Sequence, residues 1–185
     1  MSLPMLLEVL QFPDARLRET AKPIERDDID DELRLLVSNM AETMYDEPGI
    51  GLASTQVGVS KRLFVMDVGW SDGDRNLRVL INPEIILAEE KQVNEEGCLS
   101  VPDFTADVER AAHVIVRARN LEWEEIELDA TELEAACLQH EIDHLDGKLF
   151  IDRISSLKRN MYIQRRKKQI RRGEEPSTSG GSVRI

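Results

Sequence analysis

Residues 131–147 constrain this chain more than any other stretch. Thr131 and Glu134 have capping-box spacing and Gly147 can supply a left-handed stop, so the stretch between them predicts one helix of about four turns. Ala135, Leu138, Ile142 and Leu145 form an ordinary apolar stripe, while Leu133, Cys137, His140 and His144 form a second on the adjacent face. A helix that buries both stripes belongs in the middle of a fold, with other elements packed round it.

The second stripe carries chemistry. His140, Glu141, Ile142, Asp143 and His144 match the pattern H-E-x-x-H. At i, i+4 the two imidazoles project from successive turns of one face and can share a divalent ion, with Glu141 beside the open position to handle protons. The plainer alternative is a pair of hydrogen-bonded core histidines. Burying two histidines and a glutamate costs desolvation that a metal offsets, so metal binding is the favoured reading.

A catalytic site needs a third protein ligand. Phe150 stands where a metzincin pattern requires its last histidine, and no carboxylate occurs between Asp152 and Glu174 to act as a downstream acidic ligand. The soft candidates are Cys98, His113 and Cys137. Cys137 lies roughly 10 Å along the axis from His144, too far to share its ion, and reads as a core thiol lining the site. His113 sits in a strand-like run, where a sheet-face histidine is the ordinary reading. Cys98 is the choice for ligand three, with Gly97 allowing close backbone approach and Pro102 closing the segment. A thiolate with two imidazoles suits Fe(II), Zn, Co or Ni.

The remaining elements follow from periodicity. Asp30 can cap a helix whose residues Leu33, Leu36, Val37, Met40, Ala41 and Met44 share one face, ending before Pro48. Strand-like runs follow at 62–68, 79–82, 114–119 and 125–128. Strands cluster rather than alternate with helices, which predicts an α+β fold: antiparallel β-sheets packed around the central metal-binding helix, with an N-terminal amphipathic helix and a C-terminal helix. The expected organisation is a single catalytic domain over residues 1–173 and a disordered polar tail over 174–185.

That last helix is expected at 157–173, packed at its start and solvated at its end. It holds Lys158, Arg159, Arg165, Arg166, Lys167, Lys168, Arg171 and Arg172 with no acid, so the formal charge of −12 divides into +8 here and −20 elsewhere. The body therefore repels nucleic acid, while the segment is either a solvated helix end or a dock for an anionic partner such as RNA. Two cysteines argue against a disulfide scaffold. Pro4 and Glu8 interrupt the first apolar run, which lacks a basic flank, and the expectation is a cytoplasmic protein without a membrane segment.

Gly49, Ile50, Gly51, Leu52, Ala53, Ser54, Thr55 and Gln56 superficially suggest a dinucleotide loop, but Ser54 occupies the third glycine position and the loop follows a helix. It reads either as a plain connection or as a loop whose Gly51 admits a substrate backbone and whose Gln56 offers an amide to an oxyanion.

With segments 49–56, 96–100 and 139–145 in this order, the chain resembles the peptide deformylase family, whose three signature motifs these are. Pro13, Asp14, Arg16, Leu17 and Arg18, then Ile81, Asn82 and Pro83, and finally Gly147, Lys148, Leu149 and Phe150 extend the likeness over about 9–172. The resemblance implies hydrolysis of the N-formyl group from the initiator methionine of nascent chains, with release of formate. It implies that Cys98, His140 and His144 hold the metal, with Fe(II) usual and Zn or Ni common replacements. Glu141 would be general base and then acid, and Gln56 with the Leu99 amide would stabilise the oxyanion. Ile50, Leu133, Cys137 and His140 would line a methionine pocket, backbone groups of Ile50 and Gly51 would pair with the peptide, and Arg110 would pair with Glu96 to support the Cys98 segment. It also implies a monomer whose C-terminal helix docks on the ribosome.

The chain departs from the family at Ser54, where alanine is frequent, at Thr105, where several members carry arginine, and at 120–124, which lacks an Asp-Gly turn. The alternative functions are a non-catalytic, ribosome-associated metal-binding homologue and a metallopeptidase, the latter disfavoured by a cysteine third ligand.

Overall fold

The structure, a computed structural model, describes residues 5–176. Helix α1 (Asp31–Asp46) begins where expected, the Asp30 side chain accepting the Leu33 amide at 2.8 Å. It buries Leu33, Val37, Met40, Ala41 and Met44. Leu33, Val37, Met40 and Met44 share a core with Leu52, Leu63, Val65 and Ile81, which fixes the helix against the sheet.

Strands β1 (Gly51–Ala53), β2 (Leu63–Met66) and β3 (Arg78–Glu89) lead into a hairpin of β4 (Gln92–Cys98) and β5 (Val101–Arg110), followed by β6 (His113–Arg119) and β7 (Glu125–Thr131). Five of them form one antiparallel sheet in the order β1-β2-β3-β6-β7, and β4 and β5 pair separately. The α+β expectation holds. Strand β3 runs past its expected end at Asn82 because register shifts between Ile81 and Glu84, and again before Leu87, absorb Pro83. Between β6 and β7, Asn120 replaces the missing Asp-Gly turn: its Oδ1 accepts the amides of Glu122 (3.0 Å) and Glu124 (2.9 Å).

The Cys98 segment differs from its sequence reading. Pro102 does not close it, but lies in β5 just after the tight turn that pairs Cys98 with Val101. A proline is tolerated there because the two-stranded ribbon leaves an unpaired edge on each strand. The turn points Cys98 inward, 1% exposed.

Helix α2 (Glu132–Leu145) is the centre of the molecule: every residue from Ala135 to Leu145 except Gln139 is buried. Two expectations fail at its first turn. Leu133 is 44% exposed, because it precedes the buried run that starts at Ala135. Thr131 is the N-cap residue but its side chain accepts no amide, and Glu134 pairs with Arg78 of β3 instead of closing a capping box. At the other end Gly147 has φ +72°, and a Cβ there would lie 2.4 Å from the Arg18 carbonyl oxygen, so the glycine is needed for space as well as conformation.

Helix α3 (Ser156–Arg172) ends at Gly173 in the left-handed conformation, as expected. Its packed part is the middle rather than the start. Tyr162 is buried and stacks on Phe104 at 4.8 Å, whereas Leu157 and Met161 are exposed. Arg166 is also buried, donating to the Phe12 carbonyl (3.1 Å) and the Gln11 side chain (3.0 Å), so the eight basic residues do not all face solvent. The expected tail lies mostly outside the described residues, and no described helix is long and apolar enough to cross a membrane.

Candidate metal centre

The interior of α2 and the β4–β5 turn meet at three donor atoms. His140 and His144 Nε2 are 3.2 Å apart, His144 Nε2 lies 3.2 Å from Cys98 Sγ, and all three donors fall within 4.8 Å of one another. Tetrahedral ligands about 2.0–2.3 Å from one ion sit about 3.3–3.7 Å from each other, so the two 3.2 Å spacings through His144 fit, and Cys98 and His140 need to close by no more than about 1.5 Å. All three residues are buried. Burial, and then the neighbouring His140, push His144 well below the ordinary imidazole value, which leaves a lone pair to donate. Burial pushes the Cys98 thiol up. A divalent cation reverses that penalty, because a coordinating thiol deprotonates outright.

Glu141 lies beside this group. It is fully buried, neither carboxylate oxygen has a partner, and burial pushes its carboxyl well above the usual carboxylate range. An unpaired buried carboxylate is costly to keep and is the signature of a group held ready for a ligand or a proton. Gly51 makes room for it: a Cβ at Gly51 would lie 2.4 Å from Glu141 Oε1 and 2.9 Å from its Cγ. The sequence reading assigned this glycine to close approach by a substrate, whereas its open side faces the glutamate.

The glycine loop forms β1 followed by a 3-10 turn at Ser54–Val57. Gln56 Oε1 accepts the Ala53 amide at 2.9 Å, which aims Nε2 at Ser100 Oγ (3.1 Å) and Cys98 Sγ (3.7 Å). The Ile50 carbonyl accepts the Asp67 amide at 2.9 Å and the Cys137 thiol at 3.7 Å. Cys137 therefore lines the region as a buried thiol outside the donor cluster. Leu99 occupies the turn between β4 and β5, directly after Cys98. His113 lies on the sheet face between Glu89 and Asp129, far from the cluster in role. Thr105 is exposed and Ser54 is buried, donating to the Lys61 carbonyl.

Behind the donors runs a buried line of charge. Glu96 Oε2 contacts His140 Nδ1 at 2.9 Å and accepts from Arg110 Nη2 at 2.8 Å. Arg110 reaches Asp143 through Nη1 at 2.9 Å. Burial pushes the Glu96 carboxyl up, but the bonds from Arg110 and His140 outweigh it and hold the group below the usual range. Asp143 behaves likewise, burial being outweighed by Arg153 and Arg110. The Glu96–Arg110 pair matches the sequence reading. Asp143 and Arg153 were missed, although a carboxylate next to a ligand-type histidine on a buried helix face was itself a signal that a cation must meet it.

Two imidazoles, a cysteine sulfur and an unpaired carboxylate, all buried, are the working parts of a mononuclear metallohydrolase. The profile of the polypeptide deformylase family matches residues 6–160. A peptide deformylase of Alkalilimnicola ehrlichii is 50% identical over 168 residues, covering 91% of this chain and 93% of that relative. The crystal structure of a peptide deformylase from Legionella pneumophila superposes with a TM-score of 0.84 at 42% identity, covering 93% of this chain and all of that one. One from Ehrlichia chaffeensis in complex with actinonin gives 0.83 at 37% identity, covering 90% and 98%. The chain belongs to the polypeptide deformylase family, and its fold is that of these metallohydrolases.

Proposed function

We propose that this chain removes the formyl group from N-formylmethionyl nascent peptides and releases formate. The observation that carries the reading is the unpartnered Glu141 carboxylate beside the converging donors of Cys98, His140 and His144. Held by those three residues, a divalent ion would supply the Lewis acidity that makes water a nucleophile near neutral pH. Glu141 takes a proton from the attacking water and passes it to the peptide nitrogen as the formyl C–N bond breaks and the new C–O bond becomes part of formate. Gln56 Nε2 and the Leu99 amide donate to the formyl oxygen as it gains charge. Glu96 holds the His140 ring from behind.

Strand β1 is at the edge of the five-stranded sheet, so a peptide can add beside Ile50 and Gly51 by main-chain bonding that tolerates varied later residues. Ile50, Cys137, His140 and the half-exposed Leu133 form the wall for an unbranched apolar side chain such as methionine. Every residue the chemistry requires is present, which disfavours the non-catalytic alternative. The resident ion we assign is Fe(II), the family's usual ion, with Zn, Ni and Co as substitutes that the same donors accept. Stripping the metal with a chelator should abolish formate release, and anaerobic Fe(II) or added Ni(II) should restore it. Formate release that survives complete chelation would overturn the reading.

We assign residues 1–173 to one catalytic unit, acting as a cytoplasmic monomer, and α3 to ribosome contact. With Arg166 turned inward, the exposed basic residues of α3 are Lys158, Arg165, Lys167, Lys168, Arg171 and Arg172. Replacing Lys167, Lys168 and Arg171 by glutamate should weaken cosedimentation with ribosomes, most visibly at low salt, while formate release from a short peptide is unchanged. Undiminished cosedimentation would refute the docking.

A further inference from the structure

The line of charge behind His140 does not end at Arg110. Asp143, one residue before the donor His144, is almost fully buried, and both its oxygens are engaged. Arg153 Nε reaches Oδ2 at 2.5 Å and Arg153 Nη2 reaches Oδ1 at 2.6 Å, a two-pronged grip from a side chain that is itself 40% exposed. The contacts thus run from solvent to a donor ring through Arg153, Asp143, Arg110, Glu96 and His140, with two positive and two negative charges before the imidazole. Arg153 follows the 3-10 turn Phe150–Asp152, which is anchored by buried Phe150 and Ile151 in the same core cluster as Cys98, with the Phe150 ring stacked on His140.

Resting on the metal centre proposed above, we propose that Arg153 is a positioning residue for it: by clamping Asp143 it fixes Arg110, and through Arg110 and Glu96 it sets the orientation of the His140 ring. The physical reason is that Arg110 has one planar fork to divide between two carboxylates. With Arg153 holding Asp143, the Arg110 Nε and Nη2 pair stays on Glu96. Without it, Asp143 retains one cation for two oxygens and draws Arg110 away from Glu96, which loosens the acceptor of His140 Nδ1. A lysine at 153 keeps the charge but not the fork, so it restores only part of the effect.

The test uses the full chain loaded with Co(II), whose thiolate-to-metal and ligand-field bands report the donor geometry. In Arg153→Met, those bands should shift and chelator-driven cobalt release should quicken about tenfold, the lower end for loss of an outer partner of a metal ligand. Arg153→Lys should fall between, about threefold faster than the parent chain. If the methionine variant does not fold, the lysine variant decides. Bands and release rates equal to those of the parent chain would overturn the proposal, as would a lowered unfolding midpoint with unchanged bands, which marks a merely structural pair. Cobalt release is read without substrate, so a chain that binds cobalt but yields no formate overturns the proposed function and leaves this inference standing.

Discussion

Glu141→Gln should leave a folded, metal-loaded protein whose formate release from a formyl-methionyl peptide falls by about 10²–10⁴-fold, the usual worth of a positioned general acid–base. The substitution keeps the shape of a fully buried side chain and removes only its ability to accept and return a proton. Because neither Glu141 oxygen bonds to protein, no structural partner is lost when one becomes an amide nitrogen. Metal content should match the parent chain, since the donors are Cys98, His140 and His144. The loss should fall on kcat rather than KM, because the proton is moved in the transition state and not on binding. Undiminished turnover would remove Glu141 from the mechanism.

Gly51→Ala should cost about 100-fold in kcat with little change in unfolding midpoint. A methyl group at that position meets Glu141 Oε1 at 2.4 Å and Cγ at 2.9 Å, so the carboxylate must move by the order of 1 Å, a displacement that typically costs about two orders of magnitude in rate. The clash falls on side-chain atoms and not on backbone, so the effect on stability should be smaller than that on rate. The contrasting substitution is Gly49→Ala, whose Cβ would meet Leu99 Cδ1 at 3.2 Å, a contact that a small shift relieves. If the two alanine variants lose activity equally, the steric link between Gly51 and Glu141 is not the reason the loop needs glycine.

How much of this was legible beforehand depended on whether the signal was local. The H-E-x-x-H helix, its left-handed stop and the burial of its histidines follow from spacing along one helix. Cys98 could be reached by elimination because the chain offers few soft donors. The hairpin that carries it left no alternating apolar pattern: in β4 the buried members are Glu96 and Cys98, not hydrophobic residues, so period-two counting passed over it. Leu133 was misread for the opposite reason, a regular stripe extended one turn beyond the point where packing begins. The Asp143–Arg153 contact crosses a helix end and a 3-10 turn, and no periodicity reports which cation a buried carboxylate will meet. For Gly51 the residue was recognised as special but the partner was not, since a missing side chain marks a close approach without naming what approaches.

The central claim is tested most directly by measuring formate and acetate release from three peptides of one sequence, bearing a formyl-methionine, an acetyl-methionine or an unblocked methionine, with Fe(II)-loaded chain under anaerobic conditions. The account requires rapid formate release from the first, little or no acetate from the second, and no internal cleavage of any of them. Cleavage of the unblocked peptide would make the chain an ordinary metallopeptidase, and inertness toward all three with metal bound would make it a non-catalytic relative.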